Sequence, residues 1–201
     1  MPEVHWARHG ENVANLSRTF SYRVFDGDLT DRGIAQAEHL AETLRAARPG
    51  YGLLVCSPLR RARQTAQIVS ARLNLPVAAE LDDLREINVG DLDGRNDDSA
   101  WQVYQATLAA WRSGQLEQRF PAGESGCELA TRIGRALRAV ADEAGAEHAV
   151  VVAHGASIRA AVPALTGQPE PGTDLATGGV ARFTVTQRRG SAADIAVAAW
   201  T

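Results

Sequence analysis

Three short clusters carry residue types suited to phosphate chemistry: Arg8-His9-Gly10, Ser57-Pro58-Leu59-Arg60-Arg61 and His154-Gly155. Arginine presents a planar fork of donors that matches phosphate oxygens. A helix opening at Gly155 would add backbone N–H groups and a favourable dipole. An imidazole kept neutral by neighbouring positive charge can attack phosphorus through a ring nitrogen, forming a phosphohistidine that water later cleaves. The departing alkoxide needs a proton, so a carboxylic acid is wanted close by. Together these residues suit a phosphate monoester.

Each cluster follows an apolar run, and that is what lets residues so distant in sequence meet. Val4 to Ala7, Gly52 to Cys56 and Ala149 to Ala153 read as strands, and their continuous apolarity suits strands covered on both faces. Asp31 to Ala47 reads as a helix with Ile34, Ala37, Leu40, Ala41 and Leu44 on one face, ended by Arg48-Pro49-Gly50. Leu59 to Leu73 and Cys127 to Ala144 have helical patterns, and a short helix is expected after Gly155. Strand alternating with helix predicts an α/β fold, a three-layer α/β/α sandwich on a mostly parallel sheet. In such a sheet the carboxyl ends of neighbouring strands converge at a switch point, which brings the three clusters into one crevice. Val180 to Gln187 and Asp194 to Trp200, around Arg189-Gly190-Ser191, predict a C-terminal hairpin at the sheet edge. Residues 1–201 read as a single domain. The 95–120 segment, with Trp101, Tyr104 and Trp111 at helical spacing, is expected to be a lid or an inserted helical piece.

Composition removes several alternatives. The 201 residues with 45% hydrophobic content can bury a full core, and a net charge of −3 gives no general attraction to nucleic acid or anionic lipid. All 21 basic residues are Arg, which excludes a Walker-type lysine, a Schiff base and a lysine general base. Cys56 and Cys127 lack metal-ligand spacing, and no disulfide is expected. The N-terminus has no leader-like pattern and no stretch has the length of a membrane span, so a cytoplasmic protein is expected. His5, His39 and His148 are expected to be structural, without a zinc site. Ser157 lacks the Gly-x-Ser-x-Gly elbow of a serine hydrolase.

Arg8-His9-Gly10-Glu11 resembles the signature of the histidine phosphatase superfamily, also called phosphoglycerate mutase-like. The resemblance continues in order along the chain. Asn15 stands where the family places a phosphate-contacting asparagine, and Leu29-Thr30-Asp31-Arg32-Gly33 with Gln36-Ala37 is similar to the segment opening the family's first helix. Ser57 to Ala62 with Thr65-Ala66 is similar to its second arginine motif, and Leu84-Arg85-Glu86 to the segment carrying its proton donor. Pro121 to Ser125 and Ala153-His154-Gly155 match the remaining blocks. The resemblance implies that His9 is the nucleophile, that Arg8, Asn15, Arg61, His154 and Gly155 cradle the phosphate, and that Glu86 is acid and then base. It also implies that neither a metal nor an organic cofactor is needed. Glu11 and Glu124 are expected to support backbone or pocket without touching substrate, and Ser57 to contact phosphate or cap a helix.

Mutases of the superfamily carry a basic, aromatic insertion that holds a phosphoglycerate carboxylate. Here the Gly94 to Pro121 stretch has only Arg95, Arg112 and Arg119, and Ala14 precedes Asn15 where a mutase would want tryptophan. A phosphatase is therefore expected, with mutase-type transfer and a non-catalytic phosphoester-binding member as the alternatives. The expected partner is a small phosphorylated metabolite, acted on by a monomer or homodimer. Its pocket is expected to be walled by Phe20, Tyr22, Arg23 and Ser125, with the aromatics of the 95–120 segment.

Overall fold

A computed structural model describes residues 3–47, 50–186 and 194–200. Six strands form one sheet: β1 (Glu3–Arg8), β2 (Tyr51–Cys56), β3 (Val77–Glu80), β4 (His148–Ala153), β5 (Val180–Thr186) and β6 (Asp194–Trp200). Their order is β3-β2-β4-β1-β5-β6. The β3-β2, β2-β4 and β4-β1 pairs are parallel, and β1-β5 and β5-β6 are antiparallel. The helices are α1 (Val13–Ser17), α2 (Asp31–Ala47), α3 (Arg60–Leu73), α4 (Asp98–Arg112), α5 (Gly126–Ala144) and α6 (Gly155–Thr166).

Alternating side chains of the central strands point to opposite faces, and both faces are apolar. Ala7, Leu54, Cys56, Val150 and Val152 pack under Leu40 and Leu44 of α2 and Ala62, Ala66 and Val69 of α3. Trp6, Leu53, Val55 and Val151 pack under Leu129, Ile133, Leu137 and Val140 of α5 and Ile158 and Val162 of α6. This is the expected α/β sandwich. Each such side chain removed from water contributes roughly 1.5–3 kcal/mol before conformational entropy is subtracted.

Several boundaries differ from the sequence reading, each for a local reason. Ile34 is exposed, because Gly33 takes the buried position at the start of α2. A Cβ on Gly10 would lie 2.2 Å from the Gly33 carbonyl oxygen, so the loop after β1 and the first turn of α2 meet backbone to backbone. The helix after Gly155 is twelve residues, longer than expected, and packs against α5 and the edge strand β6. Strand β3 and helix α1 were not foreseen: β3 alternates half-buried and exposed residues at a sheet edge, and α1 is five residues long. The expected turn at Arg189-Gly190-Ser191 lies outside the described residues, while the antiparallel pairing of β5 with β6 is formed. The 95–120 segment contains α4, anchored by buried Ala100, Trp111 and Phe120.

Candidate active site

The carboxyl ends of β1, β2 and β4 lie side by side, and their clusters do meet. His9 follows β1; its N–H donates to Ala153 O of β4 at 3.0 Å, and its ring is 3% exposed in residue terms. His9 Nδ1 lies 2.6 Å from the carbonyl oxygen of Gly10. A carbonyl only accepts, so Nδ1 carries the proton and Nε2 keeps its lone pair. Arg61 Nε donates to that Nε2 at 3.1 Å. Burial, then the charges of Arg61 and Arg8, push the His9 pKa well below 6.5, outweighing the Gly10 carbonyl that favours the charged ring.

Arg61 sits in the first turn of α3, which begins immediately beyond the β2 end. Its NH1 donates to Ser21 Oγ and its NH2 to Ser21 O, both at 3.0 Å, and Asp26 Oδ1 is 3.5 Å from NH1. Arg60 turns outward to Asp28, and Arg63 pairs with Glu80 at 3.0 Å. Helical periodicity therefore selects Arg61 alone of the three for the buried face.

His154 is the N-cap residue of α6 and is fully buried, with its ring centroid 5.2 Å from that of His9. Its Nε2 lies 2.8 Å from Ser57 Oγ. Ser57 Oγ also accepts the Leu59 N–H at 3.3 Å. Burial, then Arg61 and His9, hold the His154 pKa well below 6.5. Ser57 thus orients a histidine as well as beginning the turn into α3.

Arg8 NH1 donates to Leu175 O at 2.7 Å. A Cβ on Gly155 would lie 2.8 Å from Arg8 Cδ, so the glycine gives the arginine its place at the helix N-terminus. Asn15 Oδ1 accepts the Asn12 N–H and Asn12 Oδ1 accepts the Asn15 N–H, a reciprocal cap at the start of α1. Asn12 went unnoticed in the sequence, although the Asn-Val-Ala-Asn spacing is a capping pattern. It is 1% exposed and lines the cavity described below.

Glu86 reaches the same crevice from the loop after β3. Its Oε1 accepts the N–H groups of Ile87 at 2.9 Å and Ser157 at 2.7 Å. The loop is held by Arg132 of α5, which donates to the carbonyl oxygens of Asp83, Arg85 and Glu86 at 2.7, 2.8 and 2.9 Å. Arg132 also makes two bonds to Glu124, at 2.7 and 2.8 Å, and Glu124 Oε1 accepts the Asn88 N–H at 2.7 Å. Glu124 therefore supports backbone, as expected of it. Arg132 was missed because an arginine in a helix has no local sign of the loop it will clamp. Asp82, Asp83 and Asp93 turn elsewhere: to Arg85, to Arg135, and to the N–H groups of Tyr22, Arg23 and Val24.

A cavity of about 460 Å³ opens over these residues, lined by Arg8, His9, Asn15, Arg61, Glu86 and Gly155 at one end. Phe20, Trp101, Tyr104 and Arg112 form part of its wall. Four expected wall residues lie elsewhere. Tyr22 and Arg23 border a separate depression with Asp82, Asp83 and Arg132, because Asp93 draws their backbone away from the cavity. Ser125 is 2% exposed and caps α5, exchanging bonds with Glu128 in a capping box. Trp111, also expected in the wall, is a core residue at 5% exposure.

At the opposite end of β1 and β4, His5 and His148 meet around Glu3, a juxtaposition invisible in their spacing. Tyr51 Oη lies 3.0 Å from His5 Nδ1, His5 Nε2 lies 3.3 Å from Glu3 Oε2, and the Glu3 N–H donates to His148 Nδ1 at 3.1 Å. Their ligand-type atoms fall within 4.8 Å of one another, but backbone N–H and Arg182 already engage His148 and Glu3.

The sequence model of the family described as the histidine phosphatase superfamily (branch 1) matches residues 4–200. A probable phosphoglycerate mutase, GpmB, of Escherichia coli O1:K1 is 31% identical over 169 residues, covering 84% of this chain and 77% of that protein. Among solved structures, mycobacterial glucosyl-3-phosphoglycerate phosphatase with VO3 is similar with TM-score 0.78 and 25% identity, covering 100% of this chain and 98% of that one. YhfR of Bacillus stearothermophilus shares the fold with TM-score 0.81 and 24% identity, covering 100% and 98%. Among the described residues no helix is long and apolar enough to cross a membrane.

Proposed function

The chain belongs to the histidine phosphatase superfamily, and from that premise we propose that it is a phosphatase hydrolysing a small phosphate monoester through a phosphohistidine at His9. One observation carries the reading. Among the described residues, the buried side-chain polar atoms without a hydrogen-bond partner are Arg8 Nε, Asn12 Nδ2, His154 Nδ1 and Arg159 Nε. Arg8 and Asn12 line the cavity and His154 stands against His9, whereas Arg159 Nε lies 2.7 Å from Glu170. An unmet buried polar atom costs about 1–3 kcal/mol, and the group of them around His9 is relieved by a phosphate.

In the reaction, the phosphate takes its place among Arg8, Asn15, Arg61, His154 and the Gly155 helix terminus. Arg61 passes from His9 Nε2 to a phosphate oxygen, freeing the lone pair. The His9 Nε2 to phosphorus bond forms as the bond from phosphorus to the ester oxygen breaks, and Glu86 gives that oxygen a proton. Glu86, now a carboxylate, takes a proton from water as the water oxygen attacks phosphorus. The nitrogen to phosphorus bond breaks, and inorganic phosphate leaves. Glu86 Oε1 is taken by two N–H donors, so Oε2 is the atom for proton transfer.

Mutase-type transfer is the second reading, favoured by the 31% identity to a probable phosphoglycerate mutase. Turnover of p-nitrophenyl phosphate, and of 3-phosphoglycerate with a bisphosphate primer, separates the two. Phosphate release should exceed isomerisation; faster isomerisation overturns the phosphatase reading, and no turnover of either overturns both. Rapid acid-free quenching should trap a phosphoenzyme that His9→Ala cannot form.

A further inference from the structure

Beside the phosphate cluster, three further segments line the cavity. Trp101, Tyr104, Gln105, Leu108 and Arg112 come from α4, Arg159 from α6, and Glu170 and Asp174 from the connection to β5. The two cations of these segments are both already paired. Arg112 Nε donates to Glu170 Oε2 at 2.6 Å, Arg159 Nε lies 2.7 Å from Glu170 Oε1, and Arg159 NH1 pairs with Asp174. Two positive and two negative side chains therefore line this part of the cavity.

From this pairing we propose that the substrate carries its phosphate on a neutral, hydroxyl-bearing ring of sugar or nucleoside type, and that Glu170 and Asp174 exclude substrates with a carboxylate. The proposal rests on the phosphatase reading of the same cavity.

A carboxylate entering here would have to displace Glu170 or Asp174 or lie against them, and like charges brought together in a binding site oppose binding. Hydroxyl groups meet no such opposition. They donate to the two carboxylates and accept from the guanidinium groups, so both members of each pair remain satisfied. Arg159 lies 2.7 Å from Glu170 and also pairs with Asp174, so its guanidinium is held by both carboxylates. Tyr104 adds a hydroxyl to this wall; burial, reinforced by Glu86 and Asp174, raises its pKa, so it stays a donor. Trp101, Leu108, Ala156 and Ala160 supply apolar surface for a ring. The volume, about 460 Å³, falls within the range of pockets that enclose drug-sized ligands, roughly 300–1,000 Å³.

The test compares kcat/KM for ribose 5-phosphate and adenosine 5′-monophosphate with that for 3-phosphoglycerate and 2-phosphoglycolate, in the native protein and in a Glu170→Gln, Asp174→Asn double variant. The native protein should favour the neutral-bodied pair by about tenfold or more, and the variant, with Arg112 and Arg159 unmasked, should shift the ratio about tenfold towards the carboxylates. Native preference for the carboxylates, or an unchanged ratio in a folded variant, overturns the proposal. If p-nitrophenyl phosphate is not turned over, the phosphatase reading has failed, and calorimetric titration with ribose 5-phosphate and 3-phosphoglycerate reads the same preference from binding. The native comparison does not depend on the variant folding.

Discussion

Arg61 Nε donates to His9 Nε2 across 3.1 Å, so the proposed nucleophile and its main phosphate ligand are bonded to each other before substrate arrives. The same contact does two things. It points the Nε2 lone pair towards the arginine cluster, and it disfavours a second proton on the ring, since a charged imidazole would face a guanidinium in a buried site.

Arg61→Gln should therefore change the pH dependence as well as the rate. The native protein should keep its activity well below pH 6.5, because burial and the two arginines hold His9 neutral there. The variant should lose about a hundredfold in kcat, the scale of removing one preorganised donor to developing charge. Its acid limb should also move upward in pH. Profiles of kcat and kcat/KM on p-nitrophenyl phosphate from pH 4 to 8 check the two effects, and an unmoved acid limb in kcat/KM, which reports the free protein, would mean that Arg61 does not set the His9 charge.

Glu86→Gln should slow alkyl phosphates much more than aryl phosphates, whose leaving oxygen needs little protonation. The glutamine keeps an oxygen for the Ser157 and Ile87 N–H groups, so the loop stays in place. Equal losses on glycerol phosphate and p-nitrophenyl phosphate would remove Glu86 from the acid role.

Glu124→Ala should destabilise the protein by about 3–5 kcal/mol, the cost of leaving one member of a largely buried pair uncompensated. Arg132 would keep its charge but lose its partner while still bonded to the carbonyls that position Glu86. Urea unfolding measures the first effect. A drop in kcat on alkyl phosphates larger than on aryl phosphates measures the second, since only displacement of Glu86 predicts that pattern.

Stability should fall as the solution is made acidic through pH 6.5. Burial is the largest cause lowering the pKa values of His5, His9 and His154 from 6.5. Above 6.5 these rings are neutral in both states and the full stability is present. Below it the unfolded chain binds protons that the native chain refuses, so stability is lost as pH falls towards the lowered native values. The slope is about 1.4 kcal/mol per pH unit for each ring. Urea midpoints at pH 7.5, 6.5 and 5.5 read it, and a flat response would show that these rings are not held neutral.

Much of the site was legible because phosphate chemistry leaves local marks. Apolar runs ending in Arg8-His9-Gly10, Ser57 to Arg61 and His154-Gly155 specified buried strands, and a parallel sheet brings their ends together whatever the loops do. The choice of Arg61 over Arg60 and Arg63 came from the resemblance and the spacing from Ser57, and in the fold the other two pair with Asp28 and Glu80. Arg132 was not readable, because it acts through contacts with a loop far away along the chain. Asn12 left the spacing of a helix cap, but nothing local marks its place in the cavity.

The pocket wall shows the division most clearly. Aromatic residues near Phe20 and Trp101 were visible in the sequence, but which of them face the cavity depended on side chains distant along the chain. Asp93 draws Tyr22 and Arg23 outward, and packing on Phe120 takes Trp111 into the core. The sequence by itself determined the central strands, most of the helix faces and the chemistry at the strand ends, because periodicity and local spacing are properties of short segments. Only the tertiary structure decided the edge strand β3, the His9 tautomer, the Glu86 clamp and the pairing of Arg112 and Arg159 with Glu170 and Asp174. Those depend on the distances between segments, and hydrogen bonds and charges in a buried site are set by distance and direction.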